Sequence, residues 1–169
     1  EECDVKAVLY NVPGRTASNM LAETTLRLAE EVENVIAIKE ASNNLEQIMQ
    51  IIKYRPKDFA VLSGEDTLTL PIIASGGDGV ISVVSNEVPR EYSDMVRAAL
   101  AGDLKKAKEL HYKLFELMKA NFIESNPIPV KTALHMMGMV EESLRLPLTK
   151  MAKHNREKLK KVLKDIKLI

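Results

Sequence analysis

The chain has 169 residues, with 24 Lys and Arg against 24 Asp and Glu, and its one cysteine is Cys3. The balanced charge argues against nucleic-acid and membrane partners, and a single cysteine excludes an internal disulfide framework. The 169 residues contain no apolar run of membrane-spanning length. We therefore expect a cytoplasmic protein that binds small molecules or other subunits.

The three histidines, His111, His135 and His154, lie far apart in segments with helical periodicity. No cluster of Cys or carboxylate residues at ligand spacing accompanies them. The sequence therefore predicts no metal ion.

The first part of the chain alternates short apolar runs with helical patterns. Strands are predicted at residues 5–10, 35–38, 59–63 and 80–84, with a loop at residues 11–15. Helices are predicted at residues 18–34, 45–55, 67–75 and 89–101. Asn44 and Gln47 have the spacing of a capping box at the second helix. Two helical faces are predicted to be buried, and they consist of Leu21, Thr25, Leu28 and Val32, and of Leu45, Ile48, Met49 and Ile52.

After Gly102 the pattern is helical only, with predicted helices at residues 103–118, 127–137 and 149–166. We place a domain boundary there, which divides residues 1–102 from residues 103–169. Repeated βα units whose strands are apolar on both faces predict a parallel sheet. Such a sheet is either open and doubly wound or part of a (β/α)8 barrel. Two features favour the barrel: the loop at residues 11–15 has a single glycine, and a helical tail follows the fourth unit.

Ligands of parallel α/β sheets bind at the carboxyl ends of the strands. The predicted strands bring Tyr10, Lys39, Ser63 with Gly64, and Ser82 to these ends. We therefore expect these residues to lie around one pocket.

Lys39 follows four apolar residues, whose surroundings disfavour the charged ammonium form, as a lysine that forms a Schiff base requires. The alternative is that Lys39 reaches solvent and neutralises Glu40. Tyr10 could pass protons to an adduct at Lys39, or could simply pack. Arg15 could bind a substrate carboxylate, or could be a solvated loop residue. The glycines, Gly64 and Gly79 among them, either admit a ligand or serve turns.

Five motifs, taken in their order and spacing, resemble the dihydrodipicolinate synthase family. They cover most of the chain and match only the second part of the family's usual length. The motifs are Leu9-Tyr10-Asn11-Val12-Pro13-Gly14-Arg15-Thr16, Ile38-Lys39-Glu40-Ala41-Ser42, Ser63-Gly64-Glu65-Asp66, Gly76-Gly77-Asp78-Gly79-Val80-Ile81-Ser82 and Asn126-Pro127-Ile128-Pro129-Val130-Lys131.

The resemblance implies the second half of a (β/α)8 (TIM) barrel, a tail of three helices and a homotetramer. It implies a lyase of the class I aldolase type that needs no cofactor. Lys39 would form a Schiff base with pyruvate, which then condenses with aspartate semialdehyde on the route to lysine and diaminopimelate. Tyr10 would relay protons and Arg15 would receive the semialdehyde's carboxylate. Ile81, with Gly79 and Gly64, would line the substrate site.

Two alternatives remain open. Aldolases that cleave sialic acid or keto-deoxy sugar acids share the lysine and the tyrosine, but they tend to lack an arginine at the position of Arg15. The resemblance also implies that four βα units are missing, with the family's pyruvate-binding threonines among them. We therefore expect a fragment that folds when paired with itself or with a missing N-terminal half, because half a barrel leaves two sheet edges unpaired. Such a fragment could be inactive and only oligomerise.

Overall fold

The computed structural model describes residues 5–169, so Cys3, the one cysteine of the sequence, lies outside the described residues. Within it the protein is α/β, with one four-stranded sheet and eight α-helices. The strands are β1 (Ala7–Asn11), β2 (Val35–Glu40), β3 (Ala60–Ser63) and β4 (Gly79–Val80). The helices are α1 (Pro13–Thr16), α2 (Ala22–Glu31), α3 (Leu45–Tyr54), α4 (Thr69–Ala74), α5 (Pro89–Leu100), α6 (Leu104–Ala120), α7 (Ile128–Met136) and α8 (Lys153–Asp165).

The sheet has the strand order β1-β2-β3-β4, and all three pairs of neighbours run parallel. The prediction of a parallel sheet built from βα units is therefore confirmed. The chain divides into two compact units. One contains residues up to Ser82 together with Ala99–Asp103, and the other contains Val83–Ala98 together with Leu104–Ile169. The division at Gly102 into two domains stays a prediction.

The fourth predicted strand is much shorter than expected. Residues 80–84 were expected to be extended, but β4 is only Gly79–Val80, and Val84 begins a 3-10 turn. The reason is that β3 ends at Ser63, so only Leu62 and Ser63 are available to pair with β4. Ser82 therefore lies two residues beyond the carboxyl end of its strand.

The core of the first unit lies between one face of the sheet and helices α2, α3 and α4. Its buried members are Ala22, Ile38, Ile48, Ile51, Phe59, Val61 and Ile72. The predicted face of α2 is partly wrong: Thr25 is buried, whereas Leu21 and Val32 are exposed. Both exposed residues have extended backbone and flank the helix, because α2 spans only Ala22–Glu31.

The second unit packs α8 against α6 and α7. Leu114 and Leu117 of α6 are fully buried, as are Leu159 and Leu163 of α8. His111 of α6 is also buried, and loss of solvent lowers the pKa of its imidazole. Within residues 5–169, no helix combines the length and the apolar character that crossing a membrane requires.

Candidate active site

Tyr10 and Lys39 are direct neighbours across the β1–β2 pair. The register aligns Tyr10 with Lys39, Lys39 with Leu62, and Leu62 with Gly79. Aligned residues of a parallel sheet project from the same face. Ile38 and Val61, one residue earlier, contribute to the helix-covered core, so this row projects from the opposite face.

The amine and the phenol predicted to act together are in contact. Lys39 Nζ lies 4.4 Å from the centroid of the Tyr10 ring, a distance typical of a cation–π contact. Lys39 is half-buried and Tyr10 is 48% exposed. The apolar residues that precede Lys39 in sequence surround it only in part, because they alternate between the two faces of β2.

Glu40 does not neutralise Lys39, because consecutive residues of β2 point to opposite faces. Its side chain is fully buried on the helix-covered side. Asn11 Nδ2 donates to both carboxyl oxygens at 3.0 Å, the Ser42 N–H donates to Oε1 at 2.8 Å, and Gln47 Nε2 donates to Oε2 at 3.1 Å. This arrangement leaves the amine of Lys39 available on the other face.

The hydrogen bonds continue beyond Glu40 into a network that sequence reasoning missed. Asn11 Nδ2 donates to Asn19 Oδ1 at 2.8 Å, and Asn19 Nδ2 donates to Gln47 Oε1 at 2.9 Å. The Met20 N–H donates to Asn11 Oδ1 at 3.0 Å. No local signal in the sequence marked this network, because Gln47 lies outside the apolar face predicted for this helix.

Asn44 caps α3 as predicted, since its side chain accepts a hydrogen bond from the Gln47 N–H at 3.1 Å. The reciprocal half of the predicted capping box is replaced. The Gln47 side chain reaches Glu40 instead, and the Asn44 N–H donates to Ser42 Oγ at 3.2 Å. Gln47 thereby becomes a buried residue of α3, and Met49 of the predicted apolar face is exposed.

Gly64 lies directly after β3 and packs closely against the end of β2. Its N–H donates to the Glu40 carbonyl oxygen at 2.7 Å, and a Cβ built on it would lie 2.7 Å from Ala41 Cβ. A close approach of two chain segments therefore accounts for this glycine. Burial raises the pKa of the neighbouring Glu65 carboxyl, although hydrogen bonds from Thr67 act in the opposite direction.

Gly79 and Ile81 lie at the β4 end of the sheet. Gly79 has a φ of +156°, a conformation that residues with a Cβ rarely adopt, and its Cβ position faces the Leu62 side chain at 3.5 Å. Ile81 is 43% exposed, and its N–H donates to the Ser63 carbonyl oxygen at 2.9 Å. Gly79 therefore belongs to β4 and Ile81 directly follows it, with β2 and β3 between this strand and the one that bears Tyr10.

Arg15 lies in α1, where a loop was predicted. Pro13 starts this short helix with its fixed φ, and Ala17 ends it in the left-handed conformation. The Arg15 N–H donates to the Val12 carbonyl oxygen at 2.9 Å, and its side chain is exposed. The structure thus joins Tyr10 to Lys39 directly and places Arg15 in the segment that follows β1.

Among residues 5–169, no group of three or more His, Cys, Asp or Glu side chains is arranged to hold a metal ion. The Lys39 amine contacts the Tyr10 ring, and the Glu40 carboxyl group with its hydrogen-bond partners lies on the other face of the sheet. An amine beside a phenol can form an imine with a carbonyl compound and exchange protons with it.

The chain is similar to known proteins over nearly its whole length. Residues 1–166 match the model of the dihydrodipicolinate synthetase family. The chain is 56% identical over all 169 residues to a 4-hydroxy-tetrahydrodipicolinate synthase of Methanocaldococcus jannaschii, and covers 58% of that protein. It is 51% identical over 169 residues to the enzyme of the same name from Chlorobium phaeobacteroides, and covers 57% of it.

A solved structure gives the same result. The crystal structure of dihydrodipicolinate synthase from Aquifex aeolicus superimposes with a TM-score of 0.96 at 49% sequence identity, over 99% of this chain and 57% of that one. The chain thus spans a little more than half the length of the relatives that it matches. The match over nearly every residue shows that the chain belongs to the dihydrodipicolinate synthetase family.

Proposed function

We propose that this chain carries the Schiff-base lysine of a 4-hydroxy-tetrahydrodipicolinate synthase. The reaction is the condensation of pyruvate with L-aspartate 4-semialdehyde, in the biosynthesis of lysine and diaminopimelate. One observation carries the proposal: the Lys39 amine lies 4.4 Å from the Tyr10 ring, on strands that pair in register. The names of the relatives add independent support.

The Lys39 amine attacks the keto carbon of pyruvate, and loss of water gives the imine. The protonated imine withdraws electrons, so the methyl group can lose a proton without the help of a cofactor. This deprotonation converts the imine into an enamine. Tyr10 carries protons between the adduct and the substrates. The enamine carbon adds to the aldehyde, and the amino group of the semialdehyde then displaces Lys39 by transimination. This transimination closes the ring of the product and releases the free Lys39 amine.

Arg15 binds the semialdehyde's carboxylate, for which its guanidinium has matching bidentate geometry. Its position in α1, directly after β1, supports this role. Ile81 and Gly79 line the pyruvate site, together with the backbone at Gly64. Support for this part comes from the row of aligned residues that runs from Tyr10 to Gly79.

We also propose that β1 to β4 are half of a (β/α)8 barrel and that α6, α7 and α8 form its helical tail. The strand order and the apolar exposure of Val8 and Tyr10 on the face opposite the helices support this arrangement. The other half of the barrel is supplied either by a second copy of this chain, as in a homotetramer, or by an N-terminal half-barrel. The cytoplasm is the proposed location, since a single cysteine suits a reducing compartment.

The test measures the rates of two reactions with the protein isolated from the cells that produce it. Condensation of pyruvate with aspartate semialdehyde is expected, whereas cleavage of sialic acid or a keto-deoxy sugar acid is not. Tyr10→Phe is expected to lower the condensation rate about 10²- to 10⁴-fold, because it removes the proton carrier. Cleavage of a sugar acid in preference to condensation would assign the chain to another aldolase of the same superfamily.

A second candidate is a catalytically inactive half-barrel that only oligomerises. The exposed apolar face that bears Val8 and Tyr10 favours it, because such a face requires a partner. Borohydride reduction in the presence of pyruvate distinguishes the two candidates. A folded sample that gains no pyruvyl adduct supports the inactive form.

A further inference from the structure

Glu40 is a fully buried acidic residue that the proposed reaction does not use. It lies directly after Lys39 in β2, and its side chain is on the opposite face of the sheet from the Lys39 amine. Four N–H···O contacts hold its carboxyl group, and the three donors are the Asn11 amide, the Ser42 N–H and the Gln47 amide. Burying an acidic group is costly, and hydrogen bonds to every available lone pair offset that cost only when the geometry is well defined.

These donors come from separate parts of the first unit. Asn11 is the last residue of β1, Ser42 follows β2, and Gln47 belongs to α3. Asn19, which precedes α2, connects Asn11 to Gln47 by two further hydrogen bonds of 2.8 and 2.9 Å. The Glu40 carboxyl group is therefore the point at which two strands and one helix are tied together.

The strand register makes this connection relevant to the contact between Lys39 and Tyr10. Asn11 is aligned with Glu40, and the preceding pair is Tyr10 with Lys39. The side-chain bond between Asn11 and Glu40 thus fixes the two strand ends one residue beyond the amine and the phenol. The main chain adds a bond from the Ala41 N–H to the Asn11 carbonyl oxygen at 2.8 Å. A shift at Glu40 would move Lys39 relative to Tyr10.

We propose that Glu40 is a positioning residue, which aligns the Lys39 amine with the Tyr10 phenol through its buried hydrogen bonds to Asn11 and Gln47. This inference rests on the proposed function, since it concerns the reaction at Lys39. Glu40 touches neither substrate nor reacting atom. Its effect is on the geometry from which the imine forms and reacts.

The test uses Glu40→Gln, which keeps the size of the side chain but replaces one acceptor oxygen with an NH2 donor. Whichever way the new amide turns, its NH2 faces an N–H donor. Glu46→Gln is the matched control, because Glu46 is exposed on the first turn of α3. Both variants are made in the protein as its cells produce it, and circular dichroism fixes a temperature at which each is fully folded.

The measured quantity is the rate at which borohydride traps pyruvate on the protein, as a function of pyruvate concentration. For Glu40→Gln we expect the rate at saturating pyruvate to fall about 10- to 100-fold, as displacement of a catalytic group by about 1 Å produces. The half-saturating pyruvate concentration is expected to change less than about threefold. Loss of stability alone would leave the rate per folded molecule unchanged. Glu46→Gln is expected to behave as the wild type.

A fully folded Glu40→Gln that traps pyruvate at the wild-type rate would overturn the positioning role and leave the proposed function intact. Failure of the wild type itself to trap pyruvate would overturn the proposed function. Gln47→Met is a second variant that removes one donor to Glu40 and fills the same volume with an apolar side chain. It is expected to lower the saturating rate in the same direction, by a smaller factor. A wild-type rate in this variant would also overturn the role of Glu40.

Discussion

Replacing Gly64 with alanine tests how closely β3 and β2 approach each other beside the candidate site. The new Cβ would lie 2.7 Å from Ala41 Cβ and 3.1 Å from the Glu40 carbonyl oxygen. Carbon atoms in favourable contact are about 3.5–4.0 Å apart, so the two segments must separate by about 1 Å. Neither obstacle can change rotamer, and the separation also stretches the 2.7 Å hydrogen bond from the Gly64 N–H to Glu40.

Overpacking of this kind costs about 1–3 kcal/mol of unfolding free energy. In a chain of this size the loss corresponds to a fall in Tm of about 2–12 °C. Thermal unfolding followed by circular dichroism measures it. Gly14→Ala is the control, because no atom lies within 4 Å of its Cβ position, and alanine there is expected to be neutral or stabilising by up to about 1 kcal/mol. Equal Tm values for Gly64→Ala and the wild type would refute the argument from close approach.

Two further predictions concern side chains of the first unit. Asn44→Ala is expected to cost about 1 kcal/mol in urea unfolding, because it removes the cap on the Gln47 N–H, and an unchanged midpoint would contradict that role. Partial burial raises the pKa of the Asp78 carboxyl, but hydrogen bonds from Arg55 and the Val61 N–H, together with the positive charge of Arg55, lower it. The net result is a pKa below the ordinary value of an aspartate. The stability that this carboxyl adds is therefore fully present above about pH 4 and is lost as the pH falls through the folded-state pKa. The free energy of unfolding of Asp78→Asn should be lower than that of the wild type by at most about 1 kcal/mol at pH 7, since the Asp78 side chain is 41% exposed. This difference should shrink below pH 4, and a difference that grows in acid would contradict the stabilising role of the Asp78 carboxyl.

The sequence predicted the repeated βα units well because their apolar strands and amphipathic helices have distinct periods. The predicted ends of the strands and helices were less accurate. The strand predicted at residues 80–84 is reduced to Gly79–Val80, since its length depends on where β3 ends, and a local pattern does not contain that information. The helix predicted at residues 18–34 begins only at Ala22, which left Leu21 and Val32 outside it.

At the candidate site too, features set by the local sequence were predicted, whereas features that depend on tertiary contacts were missed. The pairing of Tyr10 with Lys39 follows from two strand ends, each visible in sequence. The Glu40 network was missed because Glu40 reads as a polar residue at the end of a strand, where solvent exposure is usual. Its burial depends on Asn11, Asn19 and Gln47, which approach it only in the folded chain.

The most direct measurement is the location of the pyruvyl adduct after borohydride reduction, by peptide mass spectrometry on the protein as its cells produce it. We expect one reduced pyruvyl group per chain, on the peptide that contains Lys39, and none in Lys39→Arg, which keeps the charge but cannot form the imine. The Tyr10→Phe protein should form the same adduct more slowly. An adduct spread over surface lysines, or its persistence in Lys39→Arg, would contradict the assignment of Lys39.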